Sequence, residues 1–162
     1  MNNREQVKVL FVCMGNICRS PTAHGVFQAM VDEQHLGDSI LVDSAGTHSY
    51  HIGSPPDRRS QRIALARGVD LAELRARQFN SDDFLDFDFL LAMDRSNLLD
   101  MSSIRPGKPR ARLDLMLDFS DSSVQKEVPD PYFGNDGFEL VFDLISDASA
   151  GLLAHIRQKH SL

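Results

Sequence analysis

Lys8-Val9-Leu10-Phe11-Val12-Cys13-Met14-Gly15-Asn16-Ile17-Cys18-Arg19-Ser20-Pro21-Thr22 is the stretch that decides the fold. Residues 8–12 form a short apolar run rich in β-formers, which reads as a buried strand. Ser20-Pro21 reads as the N-cap and first residue of a helix. Beyond it Ala23, Val26, Phe27, Met30 and Val31 recur at helical spacing. The unit is strand, a turn from Cys13 to Ser20, then helix.

Working outward, the alternation continues. Ile40-Leu41-Val42 predicts a second strand, ending at Ser44-Ala45-Gly46. Ser54-Pro55-Pro56-Asp57 opens a helix through Ile63, Ala64 and Ala66 that stops near Gly68. Residues 87–92 predict a third strand, Asp94 to Met101 a short helix ended before Pro106, and residues 111–115 a fourth strand. Asp136 and Glu139 stand at capping-box spacing before a last helix. Phe138, Val141, Phe142, Ile145, Ala148, Leu152 and Ile156 mark its buried face, and Arg157, Lys159 and His160 suit its C-terminal dipole. Strands alternating with helices predict an α/β fold: one domain over residues 1–162, with a four-stranded parallel sheet and helices on both faces. In such sheets ligands bind at the carboxyl ends of strands where strand order reverses. The turn after the first strand is the first place to look.

Composition narrows the classes. The chain has 162 residues, 42% hydrophobic and 25% charged, ordinary for a globular protein. No apolar run approaches the ~20 residues of a membrane span, and the polar N-terminal stretch predicts no secretory leader. The net charge of −6 disfavours nucleic acid as a partner. Two cysteines, Cys13 and Cys18, suggest a reducing, cytoplasmic setting rather than a disulfide framework. His48 and His51 offer no spacing that would complete a zinc site with them.

The turn itself carries three coinciding features. Gly15 and Asn16 are the residue types that most readily take positive φ, which turns successive N–H groups inward. Such a nest at a helix N-terminus binds a tetrahedral anion. Arg19 adds a planar fork for two oxygens of the same anion. Cys13 would sit beneath that anion, where a helix N-terminus and an arginine lower a thiol pKa from about 8.5 toward ~3.5–7.5. One local field then both attracts the oxyanion and makes the nucleophile.

The run from Val12 to Pro21 resembles the phosphate loop of the low-molecular-weight protein tyrosine phosphatases. Ser44-Ala45-Gly46-Thr47, Ala76-Arg77-Gln78, Ala92-Met93-Asp94-Arg95-Ser96-Asn97 and Asp130-Pro131-Tyr132-Phe133 match the family in order. The resemblance implies hydrolysis of phosphotyrosine in protein substrates through a phosphocysteine. It gives Cys13 as nucleophile, Arg19 as oxyanion clamp and Asp130 as the acid, then base. Met14, Gly15, Asn16, Ile17, Cys18, Ser20, Tyr50 and Tyr132 become substrate-binding residues, with Phe133 beside them. Asn16, Ser20 and Ser44 resemble the network that stiffens the loop. Asp94 matches a family carboxylate near the site and reads equally well as the N-cap of the helix after it. Leu74 stands where many members have a histidine that helps hold the loop asparagine.

Rival readings differ in single features. Arsenate reductases of this fold need cysteines downstream, and none follows Cys18. Protein arginine phosphatases carry threonine at the position of Ile17, whose apolar bulk suits a phenyl ring better. A phosphate-binding module without turnover has no use for Cys13, Arg19 and Asp130 together. No metal and no cofactor is called for, because Arg19 and the loop amides supply the positive field.

Overall fold

The protein is described here by a computed structural model over residues 5–134 and 136–162. Strands β1 (Val7–Cys13), β2 (Ile40–Gly46), β3 (Phe89–Ala92) and β4 (Arg112–Leu115) form one parallel sheet in the order β2-β1-β3-β4. Helices α1 (Arg19–Glu33), α2 (Arg58–Ala66), α3 (Asp83–Asp86), α4 (Arg95–Ser102) and α5 (Phe138–His160) accompany it. Alternation along β1 builds the layers. Val7, Val9, Phe11 and Cys13 join a core with residues of α1 and α5, such as Phe27 and Ile145. Leu10 and Val12 join a second core with Phe79, Phe84, Phe87 and Met101. The expected α/β architecture, with helices on both faces, is the one that forms.

From β1 the chain goes to β2 on one side, then crosses to β3 on the other. The carboxyl end of β1 therefore opens on a crevice between diverging connections. Register sets Cys13 beside Gly46 and Val12 beside Ala92.

Packing fixes α1 and α5 on their face. The Phe11 and Phe27 rings meet edge-on at 5.4 Å, a geometry worth about 0.5–1.5 kcal/mol beyond area burial. Helix α5 runs so close to the 3-10 turn Met116–Phe119 that a Cβ on Gly151 would overlap the Phe119 carbonyl. Gly151→Ala is therefore expected to cost about 1–3 kcal/mol, despite the helix propensity it gains. Urea unfolding tests this, and an unchanged midpoint would mean the backbone gives way freely.

Local expectations yield to tertiary ones at several ends. Helix α1 begins at Arg19 with Cys18 at its N-cap, so Ser20 is not the cap; its hydroxyl is drawn into the turn instead. The capping box at α5 does not form. Gly137 is the N-cap, at φ 93 with no side-chain cap bond, a left-handed turn that only glycine takes without strain. Strand β3 starts at Phe89, two residues later than expected, because Phe87 caps α3 (a four-residue helix too short to show a period) and Asp88 forms a bend. Helix α2 opens as expected, Asp57 accepting from the Arg59 N–H. Among the described residues no helix is long and apolar enough to cross a membrane.

Candidate active site

The turn from Cys13 to Ser20 lies at the switch point, and its carbonyls are tied outward. Cys13, Met14, Ile17 and Cys18 accept from the N–H groups of Thr47 (2.9 Å), His48 (2.9 Å), Asp57 (2.7 Å) and Thr22 (3.4 Å). Among the described residues, no carbonyl takes the N–H groups of Met14 to Cys18. Asn16 adopts φ 56, as its residue type suggested. Gly15 does not take positive φ; its role is spatial, since a Cβ there would lie 3.0 Å from Cδ2 of His51. Gly46 is needed for the same reason, because a Cβ would stand 2.8 Å from the Met14 carbonyl.

Behind the turn runs a buried polar chain. Arg77 N–H donates to Asn16 Oδ1 at 3.0 Å, and Asn16 Nδ2 donates to Ser20 Oγ at 2.7 Å. The Ser20 hydroxyl proton has two takers, Cys13 Sγ at 3.0 Å and the Ala45 carbonyl at 3.3 Å. Ser20 N–H also donates to Cys13 Sγ, at 3.4 Å. Asn16 is thus gripped at both ends without the missing histidine, and Leu74 packs against the α1–α5 core. Ser44 stands apart from this chain, paired with His24 Nδ1 at 3.0 Å. Burial pushes His24 below its ordinary value, against the opposing charge of Asp43. The Arg77 backbone is itself anchored by its side chain, which bonds Asp83 at 3.1 Å twice and Asp43 at 3.0 Å.

Arg19 is the largest fully buried side chain. Its Nη1 donates to Asp94 Oδ2 at 2.6 Å and to the Val128 carbonyl at 3.0 Å, and its Nη2 lies 3.6 Å from Asp130 Oδ2. Burial alone would lower its pKa; Cys13, Asp94 and Asp130 around it reverse that, so the guanidinium stays charged. The two readings of Asp94 are both correct. Oδ1 caps α4 by accepting from Asn97 N–H at 2.8 Å, and Oδ2 holds Arg19.

Cys13, Met14, Gly15, Ile17, Cys18, Arg19, Tyr50, His51, Asp130, Tyr132 and Phe133 line one pocket of about 180 Å³. Tyr50 and Phe133 are exposed at its rim. Tyr50 stacks on His48 at 5.3 Å, and Tyr132 meets Phe133 edge-on at 5.0 Å. Cys18 shares the pocket, but burial first, then Asp57 and Cys13, push its thiol up to about 12, so it stays protonated. The side chains of Asn16 and Ser20 stand behind the lining and brace it, while the Asn16 N–H is among those without a carbonyl partner. His51 was missed. It lies a tilted 6.1 Å from the Tyr132 ring, and no local signal marked it beyond its place after Tyr50.

Comparison with known proteins gives one answer. The family model for low molecular weight phosphotyrosine protein phosphatase matches residues 8–162. The Bacillus subtilis low molecular weight protein-tyrosine-phosphatase YfkJ is 39% identical over 157 residues, covering 96% of this chain and 99% of its own. Its crystal structure superposes with TM-score 0.92 over 98% of this chain and 99% of that one. The human low molecular weight phosphotyrosine protein phosphatase is 43% identical over 137 residues, 83% of this chain and 85% of its own. The structure of a Drosophila arginine phosphatase also superposes, with TM-score 0.85 at 34% identity over 93% of this chain and 98% of that one. With the whole fold and the loop matched together, this chain belongs to the low molecular weight phosphotyrosine protein phosphatase family.

Proposed function

We propose that the chain hydrolyses phosphotyrosine in protein substrates, and small aryl phosphates, through a phosphocysteine on Cys13. The observation that carries this is the meeting of Cys13, Arg19 and Asp130 in one pocket with aromatic walls. A phosphate entering it meets N–H groups without protein carbonyl partners and the buried Arg19 fork, both suited to equatorial oxygens. Cys13 Sγ attacks phosphorus in line while the bond to the tyrosyl oxygen breaks. That oxygen is a poor anion, its conjugate acid having pKa about 10, and Asp130 gives it a proton. Asp130, now a carboxylate, takes a proton from water as that water attacks phosphorus, freeing phosphate and Cys13. Ser20 steadies the sulfur anion at both ends of the cycle through its hydroxyl and N–H. The reaction needs a reduced thiol, which supports a cytoplasmic setting for this single phosphatase domain.

Ile17 in the lining favours phosphotyrosine over phosphoarginine, since it offers apolar surface to a ring and no partner to a guanidinium. Parallel assays on phosphotyrosyl and phosphoarginyl peptides test the reading. Wild type is expected to prefer phosphotyrosine by kcat/KM, and Ile17→Thr to shift that preference by about tenfold toward phosphoarginine. A wild-type preference for phosphoarginine would overturn it.

A further inference from the structure

We infer that Arg59 is a positioning residue, which aims Asp130 by holding the backbone of Tyr132. The inference rests on the phosphatase reading of the pocket.

Arg59 sits in the first turn of α2 and faces the loop that carries the acid. Its Nε and Nη2 form a fork on the two oxygens of Asp57, each at 3.0 Å. Nη2 also donates to the Tyr132 carbonyl at 3.0 Å, and Nη1 to the Gly134 carbonyl at 2.6 Å. The guanidinium carbon lies 4.5 Å from the Phe138 ring centroid, so its face is covered by the start of α5. Among the described residues, no group outside the segment 130–134 other than Arg59 hydrogen-bonds to that segment; Arg19 adds an ion contact with Asp130. Arg59 is therefore the hydrogen-bonding clamp on a segment otherwise held by the buried Pro131 and the Arg19 ion contact.

The clamp reaches the acid in one step. The N–H of Tyr132 donates to Asp130 Oδ1 at 3.1 Å, while Oδ2 faces Arg19. Tyr132 is held by Arg59 at its carbonyl and holds Asp130 at its N–H, and its ring forms a wall of the pocket. Asp57 links the clamp to the nucleophile's loop, because its own N–H donates to the Ile17 carbonyl at 2.7 Å. One guanidinium thus fixes the distance between acid and nucleophile. Arginine is needed because a lysine ammonium is a point charge that cannot span a carboxylate and two carbonyls at once. The half-buried ion pair with Asp57 alone would not reach the acid; the two carbonyls, 73 and 75 residues away, give the contact its consequence.

The test reads leaving-group dependence. kcat/KM is measured for phenyl phosphate and for an aryl phosphate with an acidic phenol, which hardly needs the acid. Arg59→Ala is expected to lose about tenfold or more on phenyl phosphate and less than about threefold on the acidic phenol, with inhibition by inorganic phosphate unchanged. Arg59→Lys should fall between, and it keeps the test open if the alanine variant fails to fold. In an Asp130→Ala background the Arg59 substitution should leave the ratio of the two substrates where Asp130→Ala alone put it. Parallel losses on both substrates, or an undiminished effect without Asp130, would overturn the proposal and leave the phosphatase reading standing. A wild type that turns over neither substrate would overturn both.

Discussion

Cys13→Ser is expected to reduce turnover of phenyl phosphate by roughly 10⁴-fold or more, while phosphate still binds. A serine hydroxyl ionises far less readily than a thiol, and among the described residues no basic group hydrogen-bonds to Sγ to help it. The partners of Sγ are the hydroxyl and N–H of Ser20, which stabilise an anion once formed but accept no proton readily. The anion cradle survives the change, because Arg19 and the loop N–H groups are untouched. Inorganic phosphate at a hundred times its Kd should then still stabilise the variant by about 2.7 kcal/mol against unfolding. Retention of a tenth of the wild-type rate would remove Cys13 as the nucleophile. Loss of phosphate stabilisation together with turnover would mean the substitution broke the loop instead.

Asp130→Ala should slow phenyl phosphate by roughly 10²- to 10⁴-fold, the usual worth of a positioned acid. A substrate with an acidic phenol should fall much less in kcat/KM, since its leaving oxygen tolerates the negative charge. The geometry supports the assignment: Asp130 lines the pocket and is anchored at Oδ1, with Oδ2 3.6 Å from the Arg19 fork. Equal slowing of both substrates would mean that Asp130 shapes the pocket and does not transfer the proton.

The sequence was most readable where local and global demands agree. The apolar run before Cys13 must be buried, Asn16 tolerates positive φ, and a thiol and an arginine bracket one short turn. All of these are local facts, and the structure places them together. It was less readable where one atom serves two partners. A rule that makes Ser20 a helix cap is sound for an isolated helix, yet here the hydroxyl is worth more beneath the nucleophile, and α1 starts two residues sooner. Sequence sets cap against site for Asp94 because it counts residues, whereas a carboxylate has two oxygens. Spacing along the loop does not tell which side chains face the pocket and which, like those of Asn16 and Ser20, brace it from behind. Arg59, Arg77 and His51 act across long separations, and no neighbouring residue announces such contacts.

The close approach at Gly46 has a consequence for how this protein can change. The floor of the site is shaped by a missing methyl, by a buried arginine and by polar atoms with few spare bonding positions, so almost any replacement there disturbs the chemistry. The rim is the opposite. Tyr50 and Phe133 are 75% and 83% exposed and make few demands on the interior. Preference for one phosphorylated partner over another can therefore drift residue by residue at the mouth, while the reacting centre below stays fixed.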